Sequence, residues 1–258
     1  ANVGMYTQSP LTCGAGTMSY SVQETITAPS GGLVKTVGAA QGNLNLAAYV
    51  FQAGTQTYVD FASQIPFVPL GKTPSISTAG SPIQVPENLI YLLIDTSGSA
   101  YAIYRVIAAN PSCASPTSFC LGITRLDNGG ASLQVSTPTV RISNILGATQ
   151  DSTNLYIRTA GSGTLGLDAF GFILRYNKAT LGLTGVVQFD GVNPDSGLAG
   201  PPYYDAVTQR IFTTDGVGTG NLMIIDAAAW SLTTRTALGV AAGSNTNATY
   251  DSNGNHVY

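Results

Sequence analysis

From Pro201 to Tyr258 the chain writes out one short β-unit in full and then begins it again. Pro202-Tyr-Tyr-Asp-Ala-Val-Thr-Gln209 reads as a strand running into a turn, and Arg210-Ile-Phe-Thr-Thr214 as a second strand closed by Asp215-Gly216. Asn221-Leu-Met-Ile-Ile-Asp226 is a third strand, and Leu232-Thr-Thr-Arg-Thr-Ala-Leu238 a fourth, stopped by Gly239. The cycle then restarts with Ala248-Thr-Tyr-Asp251, the turn Ser252-Asn-Gly254 and the strand Asn255-His-Val-Tyr258, where the sequence ends halfway through the unit. Short β-rich runs separated by Gly, Asn, Asp, Ser and Pro are the pattern of an all-β chain. No helical periodicity is sustained anywhere, and Ala227-Ala-Ala-Trp230 is one turn's worth at most.

The second strand of the unit serves as a ruler along the chain. It begins near Asn45 and recurs at Asn88, Asn154, Gln209 and Asn255. The steps are about 43, 66, 55 and 46 residues, against a blade period of about 40–50 in propellers. Third strands read as Tyr101–Ile107, Gly171–Tyr176 and Asn221–Ile225, and fourth strands as Gly122–Leu126, Gly185–Phe189 and Thr233–Ala237. Val3–Thr7 and Ser19–Thr27 read as a third and a fourth strand with no first or second before them. Pairing the head with the tail completes one blade. The expected fold is therefore a single all-β domain over 1–258, a five-bladed β-propeller closed by its N-terminal and C-terminal strands. Its closing blade is 246–258 plus 1–28, and the others are about 33–75, 82–127, 138–190 and 200–240. The long steps leave room for a sixth blade. Pro66, Pro69 and Pro74 make the span from Val34 to Ser77 the weakest match.

A four-stranded blade cannot bury both faces alone, and packing blades around an axis covers each face with a neighbour. Strands covered on both sides are apolar at consecutive positions, as at Leu89–Ile94 and Phe172–Leu174.

Only 9% of the 258 residues are charged and the net charge is -3. Scattered Lys and Arg cannot neutralise a phosphate track, so nucleic acid is not an expected partner. No apolar run approaches the roughly 18 residues of a membrane span. A surface this poor in charge has little repulsion to keep copies apart, which suits secreted and assembly-forming proteins. The sequence opens at Ala1 with no Met or signal peptide, as a processed, exported protein would. Cys113 and Cys120 flank a short loop and are the expected disulfide in an oxidising compartment, leaving Cys13 over. Asn247-Ala-Thr249 is a glycosylation sequon.

Catalytic sets are scarce. His256, the one histidine, lies in the final strand and reads as a packed or edge residue. One His and three dispersed Cys do not make a zinc site. Gly161-Ser-Gly-Thr-Leu-Gly166 matches a dinucleotide fingerprint, but a strand follows where the pyrophosphate needs a helix N-terminus. The loop Asp190-Gly-Val-Asn-Pro-Asp195 gathers oxygens of the kind calcium takes, so Asp190 and Asp195 are the candidate metal ligands. Asp95, Asp215 and Asp251 sit beside Gly or Ser and read as turn formers. Tyr101, Tyr104, Tyr203 and Tyr204 read first as strand packing and second as a sugar-stacking surface.

From about residue 200 onward the units resemble the YVTN-type repeats of secreted bacterial and archaeal β-propellers. The likeness rests on Asn221–Asp226 with Leu232–Gly239, and on Ala248–Tyr258. It implies a propeller and an exported protein, and it brings no catalytic residues, because the repeat is a packing motif. The expected role is thus non-catalytic, extracellular, and structural or adhesive. The expected partners are copies of itself or cell-surface material, with assembly into a filament or surface layer. The alternatives are a glycan-binding module using the loops Thr213–Gly220 and Asp95–Ser99, and a secreted metal-dependent hydrolase or lyase.

Overall fold

The computed structural model describes residues 2–8, 20–27, 33–39, 46–53, 55–64, 76–78, 83–85, 89–95, 97–106, 119–127, 133–136, 140–142, 144–160, 171–189, 200–215, 221–237, 250–251 and 256–257. The secondary structure in them is all β, and the strand pairs whose register is defined are antiparallel. The chain divides into two compact units, Ala1–Ala102 with Arg125–Leu133, and Ile103–Thr124 with Gln134–Tyr258.

In the first unit β1 (Asn2–Gln8) and β2 (Tyr20–Thr27) form a two-stranded sheet. Next come β3 (Leu33–Ala39), β4 (Leu46–Ala53), β5 (Gln56–Gln64) and β6 (Ile76–Thr78), paired in that order, with β7 (Ile83–Val85) also on β5. The next sheet runs β8 (Leu89–Ile94), β9 (Ala100–Val106), β10 (Phe119–Leu126), β11 (Leu133–Val135), with β12 (Arg141–Ile142) on β10. Its strands are shared between the two units. The repeat spacing in the sequence makes the strand at Asn88 a second strand. Here β8 is the end strand of its sheet, whereas β4, β14 (Asn154–Ala160) and β18 (Arg210–Asp215) do lie second in theirs. The apolar run Leu89–Ile94 resembles an inner strand because β8 packs against β3 and β4 instead of lying bare.

The second unit holds two complete four-stranded sheets. One is β13 (Asn144–Gln150), β14, β15 (Gly171–Asn177) and β16 (Leu183–Phe189). The other is β17 (Tyr203–Asp205), β18, β19 (Asn221–Asp226) and β20 (Ser231–Ala237). The chain ends in β21 (Tyr250–Asp251) and β22 (His256–Val257), a separate two-stranded sheet. Among the described residues Met5 lies in one two-stranded sheet and Val257 in another, and no sheet shared by head and tail is described. Strand β22 has only two residues in register, so the ladder it offers a further strand is short.

The two complete sheets pack through Tyr156, Ile173 and Val187 on one side and Ile211, Met223, Ile225 and Ala227 on the other. The opposite face of β14 and β15 is buried too, at Leu155, Ile157 and Leu174. Both faces being covered is why these strands are apolar at consecutive positions. Burying each large aliphatic side chain contributes roughly 1.5–3 kcal/mol. Gly147 lets β13 approach the start of the next sheet: a Cβ there would lie 2.5 Å from Pro201 Cβ.

Gly147→Ala should overpack this seam and cost about 1–3 kcal/mol in equilibrium urea unfolding. Gly182→Ala, where the nearest atom is the Thr180 hydroxyl at 3.2 Å, should cost clearly less.

Candidate functional site

At several hairpin ends, where the backbone must reverse and its N–H groups need acceptors, an Asn or Asp side chain supplies the oxygen. Three turns of the second unit share one construction. Asn177 accepts from the Ala179 and Thr180 N–H groups at 2.9 and 3.1 Å. Asp205 does the same for Val207 and Thr208 at 3.1 and 2.9 Å, and Asp226 for Ala228 and Ala229 at 2.9 and 2.7 Å. Four residues after each Asn or Asp the backbone turns left-handed, at Leu181, Gln209 and Trp230, each with φ 53°. That conformation costs an ordinary residue roughly 1–2 kcal/mol and favours glycine. Trp230 occupies it because the bend lays the indole across the seam between the sheets. Its ring stacks on Tyr156 at 5.8 Å, Arg175 sits over it at 4.5 Å, and it covers Gly185, where a Cβ would collide with the indole. Tyr204 stacks on the same Tyr156 at 5.6 Å, and the Arg175 guanidinium donates to the Ala227 carbonyl at 3.4 Å.

Asp151, in the turn before β14, is a further turn carboxylate of this unit. It accepts from the Thr153 and Asn154 N–H groups, both at 2.6 Å, and from the Tyr156 hydroxyl. Lys178, almost fully buried, donates to the Asp151 carbonyl at 2.6 Å. Burial pushes the Asp151 carboxyl up, but the hydrogen bonds from Tyr156, Thr153 and Asn154 together outweigh it and hold the group below the usual carboxylate range. Burial, and then the bond to Asp151, pushes the Tyr156 phenol well above its ordinary value.

The first unit repeats the motif between β8 and β9. Asp95 accepts from the Ser97 and Ser99 N–H groups at 2.9 and 3.1 Å and from the Tyr101 hydroxyl at 3.0 Å. Asp127 is held by Arg125, at 2.8 and 3.2 Å, and by the Ser99 hydroxyl at 3.1 Å. Burial, followed by Asp95, raises the Tyr101 phenol far above its ordinary value.

These arrangements shape turns. Their carboxylates are engaged by backbone N–H groups, a phenol or a guanidinium, and no group of three or more His, Cys, Asp or Glu converges among the described residues. Asp95 is the turn former its sequence context indicates. Tyr101 and Tyr104 are core residues, 2% and 1% exposed, and so are not part of a sugar-stacking surface. Tyr203 and Tyr204 are half-buried. Asp215, Asp251 and His256 lie on β18, β21 and β22. Asp190, Asp195, Asn247, Cys13, Cys113 and the glycine loop 161–166 lie outside the described residues. Cys120 is buried on β10 and disulfide-bonded. Sequence reasoning missed the Trp230–Tyr156–Arg175 stack. Its available signal was the recurring spacing of an Asn or Asp four residues before Leu181, Gln209 and Trp230.

No family model matches the chain. No curated protein matches it either. Among solved structures it is similar to the β-propeller domain of the Trilobed protease of Pyrococcus furiosus, described as having an open velcro topology. The identity is 11% over 81% of this chain and 58% of that one, with a TM-score of 0.46. It is also similar to Citrobacter koseri AztD (12% identity, 90% of this chain, 51% of that one, TM-score 0.49) and to Trypanosoma rangeli sialidase (10%, 92%, 44%, 0.46). The chain thus spans between about two fifths and three fifths of these structures' lengths.

Gln209→Gly should relieve the left-handed bend at an exposed position and stabilise by up to about 1 kcal/mol. Trp230→Gly should destabilise by about 2–4 kcal/mol despite the same relief, because the stack is lost. Thermal unfolding of the pair reads both signs. For Asp151 the folded pKa is depressed, so its contribution is present above the unfolded value of about 3.9 and is lost as pH falls through the folded value. Asp151→Asn should therefore lie below wild type at pH 7, with the gap closing in acid-unfolding series.

Proposed function

We propose that this chain is a non-catalytic, extracellular β-propeller of five blades, of the YVTN-repeat kind, with a structural or adhesive role. The observation that carries the reading is what the described carboxylates do: Asp95, Asp151, Asp205 and Asp226 hold hairpin turns, and Asp127 holds Arg125. A hydrolytic site would need carboxylates that face a substrate instead of their own backbone. Two four-stranded sheets in succession, packed face on face, support radial repetition of blades. The disulfide at Cys120 supports an oxidising compartment. Five blades require the head and tail hairpins to act as two halves of one blade. The low charge favours contact between copies and with cell-surface material.

Purified native protein should be blank in a screen of glycoside, ester and peptide hydrolysis, with and without chelator. A chelator-sensitive turnover would overturn the reading in favour of a metal-dependent enzyme. Light scattering after size exclusion should show larger species as concentration rises, and a monomer at every concentration would remove self-assembly.

A further inference from the structure

In each of the four larger sheets the last strand in chain order breaks its ladder. In β16 and β20 one residue stands unpaired, Thr184 and Thr233. In the other two sheets the last strand comes in two pieces, β6 with β7 on β5 and β11 with β12 on β10. Thr78 pairs with Ala62 and Ile83 with Val59, so between the pairs the sequence has residues 79–82 on one side and 60–61 on the other. Likewise the Ser136 N–H donates to the Ile123 carbonyl at 2.8 Å while Arg141 pairs with Cys120, which sets residues 137–140 against 121–122. A hydroxyl sits at three of the four breaks. Thr184 donates to the Arg175 carbonyl at 3.1 Å and Thr233 to the Ile224 carbonyl at 3.0 Å, and Ser136 Oγ accepts from the Ile123 N–H at 2.9 Å. A side chain thus takes up the neighbour's backbone group where the ladder is broken.

The inner pairs β4/β5, β14/β15 and β18/β19 run eight, six and six residues in register without a shift. The longest unbroken run is five residues in β16, four in β20, three each in β6 and β7, and two in β12. First strands are not uniform, since β3 and β13 carry one extra residue and β17 none, so the break is a property of the last strand. The last strands are also exposed: β20 at six of its seven positions, β16 at Leu183, Thr184, Val186 and Gln188, and β11 at Val135. Proteins commonly protect such an edge with Lys or other charges. Here Arg141 and Arg235 are the charged residues of β6, β7, β11, β12, β16 and β20 together. Strand β16, Leu183-Thr-Gly-Val-Val-Gln-Phe189, is seven residues long, uncharged, free of proline and rich in Val and Phe. That is the composition of a segment prone to cross-β stacking.

We infer that these breaks close the last strands, β16 above all, to strand addition by another copy of this chain. An added strand needs a regular row of alternating N–H and C=O groups, and an extra residue bends and twists that row. With 9% charged residues the chain has little repulsion to keep its copies apart, so the protection lies in the backbone. The inference goes beyond the role proposed above and does not depend on it. Where copies meet at these edges, they meet through side chains and not through a shared ladder.

The test deletes Thr184 from the full chain. Every register pair between β15 and β16 survives the deletion, because Thr184 has no partner in that ladder. Near-UV circular dichroism reads the fold before incubation, and thioflavin T fluorescence with electron microscopy then reads fibril formation at neutral pH. The expected result is a native spectrum followed by fibrils with a several-fold shorter lag than wild type. Adding Val186→Lys, at an exposed position of the same strand, should restore the wild-type lag. A deletion variant that folds and forms fibrils no faster than wild type would overturn the inference. So would fibrils that Val186→Lys leaves unchanged, since those report general unfolding and not an opened edge. Should the deletion of Thr184 lose the native spectrum, the same outcomes are read on the deletion of Thr233 in β20, with Thr236→Lys as its charged companion.

Discussion

A reversing backbone exposes N–H groups that its own ladder cannot satisfy, and this chain answers with an Asn or Asp oxygen at the first turn position. The remaining described architecture depends on that bond. It is what lets Asn177, Asp205 and Asp226 end their strands within a few residues and send the chain back in register. With turns this tight, sheets stay narrow enough for two of them to meet face to face over Ile173, Ile211, Met223 and Ile225. The cost of leaving such donors unmet in a partly buried turn, about 1–3 kcal/mol each, exceeds what most surface contacts return. Polar residues that look like candidate ligands in a charge-poor sequence are thereby committed to the backbone.

The seam shows how a locally unfavourable choice is held by its surroundings. Trp230 adopts a left-handed backbone and buries an indole N–H that finds no acceptor. Each alone would count against tryptophan at that position. Stacking on Tyr156, contact with Arg175 and cover over Gly185 make the position favourable as a whole. Glycine at 185 and 147 has the matching role, leaving room where a neighbouring sheet comes closest.

Much of the second unit was legible in the sequence. The strands at Asn154, Gly171, Gly185, Arg210, Asn221 and Leu232 could be read because turn residues bracket short apolar runs and local chemistry decides both. Asp95 was legible for the same reason. What was not legible depended on partners far along the chain. The run Leu89–Ile94 has the composition of an inner strand, yet its place at a sheet end is set by β3 and β4. That Met5 and Val257 fall in two different sheets among the described residues could not be read from strand type, which says what a segment can pair with and not what it does pair with. The role of Trp230 was hidden because Ala227-Ala-Ala-Trp230 has the propensity of a helical turn, and Asp226 overrides it.

Trp230 is the chain's one tryptophan, and it bridges two adjacent sheets of the second unit. The protein therefore carries a native optical reporter at a single joint. Its emission senses the distance of one guanidinium and one phenol from one indole, and it is silent about loosening anywhere in the first unit. A denaturation curve followed by fluorescence reads this joint, whereas one followed by circular dichroism reads the whole chain, and their coincidence or divergence would say whether each unit unfolds in the same transition.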